Sequence, residues 1–524
     1  LFHDSPTLTE AFLQKYYDSM ILQAEHIMEC HSAYRYMSNW GVIENHGLFE
    51  IGVCLPQSEK TKQFIAFAVK NLEVQVRMQI MPDGVHWEQS PMYHNEVLHC
   101  LLDVILLAKR NDIALPDVIL RQTEKMAMAD VAWLKPDHHI VMMGDSDDVD
   151  VRDRISVAAY LFLNPVLRFG GFDRLDYESI WDLGMKAGEE YAGMERRKPD
   201  FTSLFLEHSG NTYFRSDWSE RANFLHLHSG TMGAGHGHSD KLHIDLVVNG
   251  EDVLMDGGRY TYVSGSKRFS YKDPSGHNTI TVDDLPFTVC KDSWECSKLS
   301  QPVKENFRCT KLAEFAQAGQ LGYMDLPGGV YVNRKVVYIK PDLYVLADEM
   351  YTGDRHTYQQ YFHFNNHGTV TQNAPGEKKF PCVAYRGKMA EADFYFVSAQ
   401  VKAELKSGHI ARHYNVEEEN TVCKVTKQGE GFTSLITVID AQPGRPLSIE
   451  KLPVRSALKQ TDYPETMAEA LKITTGEKEY VVILCHQEVN SPTDLVEVDG
   501  CMGYGNVIVF DKAGDVLVGD VLNW

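Results

Sequence analysis

The sequence lacks long hydrophobic runs, a recognisable signal segment and an excess of basic residues. No apolar stretch approaches the roughly 20 residues that a membrane-spanning helix needs, and the first residues show no basic-then-apolar pattern. With 51 lysines and arginines against 73 acidic residues, the formal net charge is −22, and such a field repels polyanions. We therefore expect neither nucleic acid nor a membrane as a partner.

The cysteines also lack the spacing of a known framework. The chain has 10 of them, with no CxxC pair. Most lie in apolar contexts such as IGVCLP and VVILCH, where a reduced cysteine behaves as a small hydrophobic residue. This usage favours a reducing compartment and predicts a cytoplasmic protein. A leader before Leu1 would instead direct the protein to the periplasm or outside the cell.

The first part of the chain has a helical pattern. In SPMYHNEVLHCLLDVILLAKRND, apolar residues recur at steps of three and four, so that one stripe of a helix faces a core. The stripe consists of Leu98, Leu101, Leu102, Ile105 and Ala108. Similar stripes, separated by short breakers such as CLPQ and MPDG, continue to about residue 194. Short links of this kind favour antiparallel helical hairpins.

From about residue 200 the period of the pattern changes to two. FLHLH, LHIDLVV, YVNRKVVYI, TYQQYFHF and YVVILCH have strand lengths and are separated by NG, GG, KPD and PG turns. Helices followed by strands indicate segregated domains, not alternating βαβ units. The prediction is an α + β multidomain protein with an all-helical domain at 1–198, an antiparallel β-sandwich at 199–449 and a small C-terminal β-sheet domain at 450–524.

The segment GAGHGHSDKL, residues 233–242, places His236 and His238 one residue apart before a predicted strand. A two-residue Asn249-Gly250 turn predicts a hairpin after it. With that turn the paired residue numbers sum to 499, which pairs Asp256 with His243 at the end of the hairpin nearest the two histidines.

Three interpretations of this histidine pair are compatible with the spacing. Two imidazoles and a carboxylate are typical zinc ligands, and Asp256 and His277 both follow downstream. The pair could also serve acid–base chemistry. In the simplest alternative, Asp256 caps a turn, His277 lies in a loop, and the histidines satisfy each other's hydrogen bonds.

The same region resembles a known family. GHGHSDKLHIDLVVNGEDVLMDGGRYTY, followed by KRFSYKDPSGHNTITVDD, is similar to the signature of the heparinase II/III polysaccharide lyases. In that family a catalytic histidine precedes a metal-binding histidine by two residues, an aspartate follows 18 residues after the second, and a third ligand lies in an HNT segment. The resemblance implies that His236 is catalytic and that His238, Asp256 and His277 bind one divalent metal ion with a structural role. Zinc is favoured, with manganese or calcium as alternatives.

The helical part resembles the same family independently. NWGVIENHGLFEIG, with Asn45 and His46, is similar to the segment that binds the substrate carboxylate, and PDGVHWEQSPMYHNEV, with Tyr93, to the segment with the catalytic tyrosine. The resemblance implies an N-terminal (α/α) toroid joined to antiparallel β-sandwich domains, although fewer helices than a complete toroid are counted here. Judged without the resemblance, Asn45 fits a helix cap and Tyr93 an ordinary buried tyrosine.

The resemblance also implies a tyrosine from the β-domain in the site. We assign Tyr260, with Tyr262 and Tyr271 as alternatives. An acidic substrate needs local positive charge against the negative net charge, and the sequence offers a basic cluster of Arg259, Lys241, Lys267 and Arg268 near the histidines. We assign substrate binding to Arg259 and Lys241.

The expected function is β-elimination in a uronic-acid-containing polysaccharide or oligosaccharide, most plausibly a glycosaminoglycan of the heparan type. Alginate, hyaluronan, chondroitin and other uronans are alternative substrates. A metal-dependent hydrolase and a non-catalytic carbohydrate-binding protein are alternatives from other classes. The sequence leaves self-association into a homo-oligomer open.

Overall fold

The computed structural model describes residues 5–374, 376–476, 478–487, 494–513 and 516–523. The chain divides into two compact units. The first comprises Leu1–Trp133 and Val149–Pro199, and the second comprises Leu134–Asp148 and Asp200–Trp524. The first unit is helical, and the second consists mainly of antiparallel β-sheet, as the change in sequence period predicts.

The helices of the first unit are α1 (Glu10–Cys30), α2 (Asn39–Cys54), α3 (Glu59–Gln79), α4 (Pro91–Arg110), α5 (Asp117–Trp133), α6 (Arg152–Phe162), α7 (Pro165–Gly170), α8 (Tyr177–Leu183) and α9 (Met185–Ala192), with a 3-10 turn at Ala33–Tyr36. A short α10 (Ser266–Lys272) belongs to the second unit. Among the described residues, no helix is both long enough and apolar enough to cross a membrane.

Local signals define where these helices begin. Ser38 caps α2 by accepting a hydrogen bond from the backbone of Trp40, and Ser58 forms a capping box with Thr61 at the start of α3. Pro91 occupies the first turn of α4, where the missing N–H costs nothing. The five residues of the predicted α4 stripe are all buried, which confirms that face as the one that packs in the helical core.

The strands of the second unit before residue 300 are β1 (Leu204–Leu206), β2 (Asn211–Arg215), β3 (Phe224–His228), β4 (His243–Val248), β5 (Glu251–Leu254), β6 (Ile280–Val282), β7 (Val289–Cys290) and β8 (Cys296–Lys298). The next are β9 (Pro302–Cys309), β10 (Ala313–Tyr323), β11 (Val330–Ile339), β12 (Leu343–Phe364), β13 (Thr369–Gln372), β14 (Cys382–Arg386), β15 (Glu391–Phe396), β16 (Lys402–His413) and β17 (Val416–Asp440). The last are β18 (Leu447–Leu452), β19 (Arg455–Ser456), β20 (Ala468–Thr475), β21 (Lys478–Cys485), β22 (Val496–Val498), β23 (Cys501–Gly503), β24 (Val507–Ala513) and β25 (Val516–Asn523).

The largest sheet that the structure describes contains 15 strands, and the long antiparallel strands β12 and β17 pair at its centre. Alternate residues of β12 pack in two different hydrophobic cores, because successive side chains of a strand point to opposite faces. Tyr344 and Leu346 belong to the core of the large sheet, whereas Val345 and Ala347 pack against the five-stranded sheet formed by β18, β20, β21, β24 and β25. This shared layer explains why the C-terminal sheet belongs to the second compact unit.

Two boundaries in the structure lie close to those predicted from the sequence. The helical unit ends at Pro199, one residue after the predicted position. The five-stranded sheet begins at Leu447, close to the predicted division at 449/450. The sequence did not predict that residues 134–148, which connect two helices, would belong to the β unit. Met142 of this segment packs with Met255 and Ile410, which supplies an apolar anchor there.

The hairpin that follows the two histidines has the predicted turn but not the predicted register throughout. Asn249 and Gly250 both have positive φ, as a tight hairpin turn of this type requires. Val247 pairs with Asp252, in agreement with the expected sum, but Leu246 pairs with Leu254. The predicted pairing of Asp256 with His243 is therefore wrong, because one extra residue, Val253, forms a bulge in β5.

Candidate functional site

Asn45 and His46 lie in the middle of α2, so Asn45 is not the cap of that helix. Asn45 is fully buried; its Nδ2 donates to the Gly41 carbonyl at 2.7 Å, and its Oδ1 accepts from Asn71 at 3.3 Å. An amide nitrogen carries two hydrogens, of which Gly41 takes one. The structure thus holds this amide in a fixed orientation within the helical unit.

His46 lies one residue further along α2 and is surrounded by acidic groups. Its Nε2 is 3.5 Å from Asp103 Oδ2 and 3.6 Å from Glu50 Oε1. Burial disfavours the charged ring, but the neighbouring Asp103 and Cys100 favour it, and together they raise the pKa of His46 to about 10. His46 is therefore an imidazolium at neutral pH. His46, Glu50 and Asp103 also form a cluster with metal-ligand geometry, although Glu50 is exposed and such acidic groups commonly gather without an ion.

Tyr93 lies in the first turn of α4 and is half-buried. The unpaired N–H groups of a helix N-terminus favour negative charge nearby. The neighbouring His94 is different. It is completely buried, and desolvation lowers its pKa to about 3, so that it is a neutral core residue.

In the β unit, His236 and His238 bind the two oxygens of one carboxylate. His236 Nδ1 donates to Asp145 Oδ2 at 3.0 Å, and His238 Nε2 donates to Asp145 Oδ1 at 2.8 Å. Asp145 is fully buried, and Arg268 contacts both of its oxygens, at 2.6 and 2.9 Å. Burial opposes the charge of Asp145, but these donors hold its pKa well below the usual range.

The shared carboxylate fixes the tautomers of both imidazoles. With Nδ1–H of His236 directed to Asp145, the lone pair of the neutral ring resides on Nε2. The side chain of His236 is 12% exposed, so the ring lies at the edge of the buried cluster. In His238 the arrangement is reversed, and the lone pair resides on Nδ1.

His238, Asp256 and His277 come together as a candidate metal centre. One ligand atom from each of the three residues lies within 4.8 Å of the other two, and all three residues are buried. Burial lowers the pKa of His238 to about 3, so that its ring is neutral, as a ligand must be. Burial opposes ionisation of Asp256, but the neighbouring His277 lowers its pKa, which keeps the carboxylate charged.

Hydrogen bonding in this cluster fits a metal ion. Among the described residues, His238 Nδ1 and His277 Nε2 are buried ring nitrogens without a hydrogen-bond partner. A buried nitrogen without a partner carries a cost that coordination would remove. The opposite nitrogen of His238 bonds to Asp145, as in the carboxylate–histidine pairs that orient metal ligands. Two imidazoles and one carboxylate therefore suit zinc in number and in chemistry.

A second layer of polar residues supports the three candidate ligands. His243 Nε2 bonds to Asp245 at 3.0 Å, and its Nδ1 accepts the backbone N–H of Asn278 at 3.0 Å. The buried Arg334 donates to the carbonyls of Leu242 and Asn278, which follow the histidine pair and His277 respectively. These hydrogen bonds connect the two segments that carry the candidate ligands to strands β4 and β11 of the large sheet.

The three tyrosines considered for the site have different surroundings. Tyr262 lies beside His236, with ring centroids 5.9 Å apart, and its hydroxyl accepts a hydrogen bond from Arg259 at 2.6 Å. Tyr260 instead stacks on Tyr271 at 5.5 Å, and its backbone has a positive φ. Tyr271 donates its hydroxyl hydrogen to Glu417, and burial raises its pKa. The geometry therefore favours Tyr262 over the predicted Tyr260.

The two residues predicted to bind substrate are mostly buried. Arg259 forms a bidentate ion pair with Asp147, at 2.7 and 2.8 Å, and is only 6% exposed. Lys241 is 2% exposed and donates to the Gly230 carbonyl, and desolvation lowers its pKa to about 8. Both cations are therefore engaged by groups of the chain itself, and their assignment to substrate binding stays a prediction.

An aromatic surface adjoins His236. The rings of Trp294 and Tyr414 lie 5.1 and 5.3 Å from that of Tyr262, and Trp294 packs edge-on against His236 at 5.3 Å. Trp294 is 51% exposed and Tyr414 39% exposed, so parts of both rings face solvent. Exposed aromatic faces of this kind provide apolar contact area with a polar edge.

Asp145 is the principal residue that sequence reasoning missed. The signal was the acidic segment MGDSDDVD, in which four aspartates fall within six positions of the connection between α5 and α6. That density is unusual for a simple linker. Its partner histidines, however, lie about 90 residues later, and no local pattern links the two segments.

The chain thus combines a helical unit with an antiparallel β unit that contains a buried His–Asp–His cluster. A family model described as Heparinase II/III N-terminus matches residues 1–165, and one described as Heparinase II/III-like, C-terminal matches residues 198–445. The chain belongs to the heparinase II/III family.

Curated relatives and solved structures agree with this assignment. A heparin-sulfate lyase of Pedobacter heparinus is 25% identical over 315 residues, covering 56% of this chain and 43% of the relative. One of Bacteroides thetaiotaomicron is 23% identical over 371 residues, covering 66% of this chain and 49% of the relative. The chain thus aligns with about half the length of these relatives.

The structural similarity is broader. The crystal structure of a heparan sulfate lyase from Pedobacter heparinus matches with a TM-score of 0.71 at 19% identity, covering 93% of this chain and 72% of that chain. A heparinase III structure matches with a TM-score of 0.74 at 16% identity, covering 92% and 70%. At this identity the similarity shows the fold, which is an (α/α) toroid followed by β-sandwich domains.

Proposed function

We propose that this chain is a polysaccharide lyase that cleaves a uronic-acid-containing glycan by β-elimination, with a glycosaminoglycan of the heparan type as the favoured substrate. The observation that carries the proposal is the bond between His236 and the buried Asp145, beside the His238–Asp256–His277 cluster. Membership of the heparinase II/III family and the names of the relatives support the same chemistry.

The reaction requires three groups. A base removes the proton at C5 of the uronate, the electron pair left behind forms the C4–C5 double bond, and the C4–oxygen bond breaks. An acid protonates the leaving oxygen. Since the adjacent carboxylate would otherwise place two negative charges together, hydrogen-bond donors must stabilise the developing enolate.

We assign these roles to residues of this chain. Asn45 and His46 neutralise the uronate carboxylate, a role to which the imidazolium form of His46 is suited. Tyr93, in the first turn of α4, serves as base and then as acid. His236 carries its lone pair on Nε2 and provides a second proton acceptor, which extends the reaction to uronates of the other C5 configuration. A tyrosine of the β unit assists His236, and its position beside that ring favours Tyr262 over Tyr260.

The metal ion is proposed to be structural and to be zinc, with manganese or calcium as alternatives. His238, Asp256 and His277 would hold it. When bound, it would supply a cross-link between the histidine loop and the HNT segment, and His236 would keep its orientation through Asp145.

The exposed rings of Trp294 and Tyr414 beside His236 support a carbohydrate as the ligand, because sugar rings present C–H faces that pack on aromatic surfaces. Alginate, hyaluronan and chondroitin remain alternative substrates within the same reaction class. A metal-dependent hydrolase is the alternative from another class.

One assay separates these alternatives. Incubation with a panel of uronate polysaccharides should raise the ultraviolet absorbance, because elimination creates an unsaturated uronate, and product formed in ¹⁸O-labelled water should contain no label. Label in the product would establish hydrolysis instead. Absence of any product across the panel would favour a binding protein.

Two variants test the assigned roles. Tyr93→Phe should reduce turnover by about 10²–10⁴-fold with folding intact, whereas Tyr160→Phe, which removes an exposed hydroxyl bonded to Glu190, should not. His238→Ala should lower both the melting temperature and the activity, with His409→Ala as an exposed control. A His238→Ala protein that melts normally but is inactive would point to a catalytic ion.

A further inference from the structure

A short hairpin beside the histidine loop contains two cysteines that face each other. Strands β7 and β8 pair Cys290 with Cys296 directly across the hairpin. Their Sγ atoms are 2.7 Å apart, and both residues are partly exposed. Cα atoms of paired residues in antiparallel strands lie about 4.5–5.5 Å apart, within the span of about 4.4–6.8 Å that a disulfide bridges. Because a disulfide bond is about 2.05 Å long, a small side-chain adjustment is enough to join the sulfurs.

This hairpin packs on the loop that carries the proposed catalytic histidine. Cys296 Sγ contacts the sulfur of Met232 at 3.6 Å, at the start of that loop. At the tip, Trp294 packs against the ring of His236. Lys272 joins the two segments by donating to the carbonyls of Gly235, at 2.6 Å, and Ser293, at 3.0 Å.

We propose that Cys290 and Cys296 form a reversible disulfide that closes this hairpin and fixes Trp294 beside His236. Oxidation of the pair would hold Trp294 in place at the candidate site, and reduction would release it. The inference concerns a covalent modification and does not depend on the proposed lyase activity.

The surroundings of the pair determine which sulfur reacts first. The hydrogen bond from the Cys290 thiol lowers the pKa of Cys296, and the nearby Lys272 lowers it further. Cys296 is therefore the more readily deprotonated of the two sulfurs and the one that attacks first, because the thiolate and not the thiol attacks a disulfide.

The oxidant is a small-molecule disulfide such as oxidised glutathione. The Cys296 thiolate attacks one of its sulfurs, forms a mixed disulfide and releases one glutathione. Cys290 then loses its proton, attacks Cys296 Sγ and releases the second glutathione. The two cysteines are oxidised by two electrons, and the glutathione disulfide is reduced to two thiols.

Thiol counting on the full-length protein tests the proposal. After incubation with oxidised glutathione, removal of the reagent and denaturation, we expect two fewer alkylated cysteines than the ten of the reduced chain. In Cys290→Ser the mixed disulfide of Cys296 cannot be resolved, so at most one cysteine, carrying glutathione, should escape alkylation. Cys309→Ser, which removes an exposed cysteine of β9, should preserve the loss of two. Alkylation of every cysteine in the treated protein would overturn the proposal.

Peptide mapping identifies the bond. Trypsin cleaves after Lys272, Lys291 and Lys298, so the two cysteines fall in separate peptides, 273–291 and 292–298. We expect these peptides to be recovered joined, and to separate after reduction. Linkage of either cysteine to a different one, or to glutathione alone, would contradict the assignment. Recovery of the joined peptides from protein isolated under alkylating conditions would also overturn the expectation of a reducing compartment.

Discussion

The structure makes Asp145→Asn the most informative single substitution. The wild-type carboxylate is fully buried and accepts hydrogen bonds from His236, His238 and Arg268. Asparagine has nearly the same size but no charge, and it replaces one accepting oxygen with a donating nitrogen. That nitrogen would face groups that are themselves donors, and Arg268 would remain as a buried cation without its carboxylate partner.

The expected magnitude follows from these contacts. Removing one partner of a buried ion pair costs about 3–5 kcal/mol, because the remaining charge is left uncompensated. Loss of the carboxylate that orients a metal-binding histidine typically weakens metal affinity or activity by about 10–100-fold. Asp145→Asn should therefore both lower the free energy of unfolding of the β unit and weaken zinc binding.

The assay combines two measurements. Zinc affinity is measured by competition with a chromophoric chelator, and stability by the apparent melting temperature, since a chain of two compact units need not unfold in one step. Asp147→Asn provides a matched control from the same segment, because Asp147 pairs with Arg259. The control should lose stability but keep its zinc affinity. If Asp145→Asn retained wild-type zinc affinity and melting temperature, or if the control lost affinity equally, the reasoning would be refuted.

Three further outcomes are expected. Arg334→Leu leaves a buried aspartate unpaired and should destabilise the β unit by about 3–5 kcal/mol; a normal melting curve would contradict this. Because the folded pKa of His46, about 10, exceeds its ordinary value of 6.5, its contribution to stability is complete below pH 6.5 and is lost as the pH rises through 10. Urea unfolding between pH 6 and 10 should show this loss, on the order of a few kcal/mol, and Asp103→Asn should flatten it; equal slopes would oppose the assignment. Reduction of a Cys290–Cys296 disulfide should lower the unfolding free energy by about 2 kcal/mol, as expected for a short loop, and Cys296→Ser should be insensitive to reductant.

Features that depend on neighbouring residues in the chain could be predicted from sequence. The buried stripe of α4 follows from the 3.6-residue period, and the change to a two-residue period locates the beginning of the β unit within two residues. The Asn249-Gly250 turn predicts only that Asp256 lies at the same end of the hairpin as the histidine pair. The full set of His238, Asp256 and His277, which the structure brings together, was implied by the family resemblance.

Features that depend on distant segments could not be predicted. The bulge at Val253 lies next to Leu254, which pairs with Leu246 of β4 on one side and with Phe364 of β12 on the other. Nothing in the local sequence specifies that contact. The position of Asp145 also depends on distant segments. Asp145 lies between two helices in sequence but belongs to the β unit, where it binds histidines about 90 residues later in the chain.

The basic residues predicted to attract an acidic polymer are mostly buried or paired in the structure, which their number in the sequence does not reveal. Arg259, Lys241 and Arg268 are all buried, and each is committed to a carboxylate or a carbonyl. Of the predicted basic cluster, Lys267 is the most exposed, at 43%, and it too is paired with an acidic residue, Glu417. Long-range attraction by this cluster is therefore weak, and screening by salt would reduce it further.

Recognition by the β unit must then rest on short-range contacts. The exposed faces of Trp294 and Tyr414 and the ring edge of His236 offer packing area and hydrogen bonding at close range. Such contacts select the shape of a sugar ring more than the density of its charge. For the lyase activity proposed above, we therefore expect faster turnover of short or sparsely sulfated uronate chains than of long, densely sulfated polymers, because the net charge of −22 repels the latter and the buried cations do not offset that repulsion.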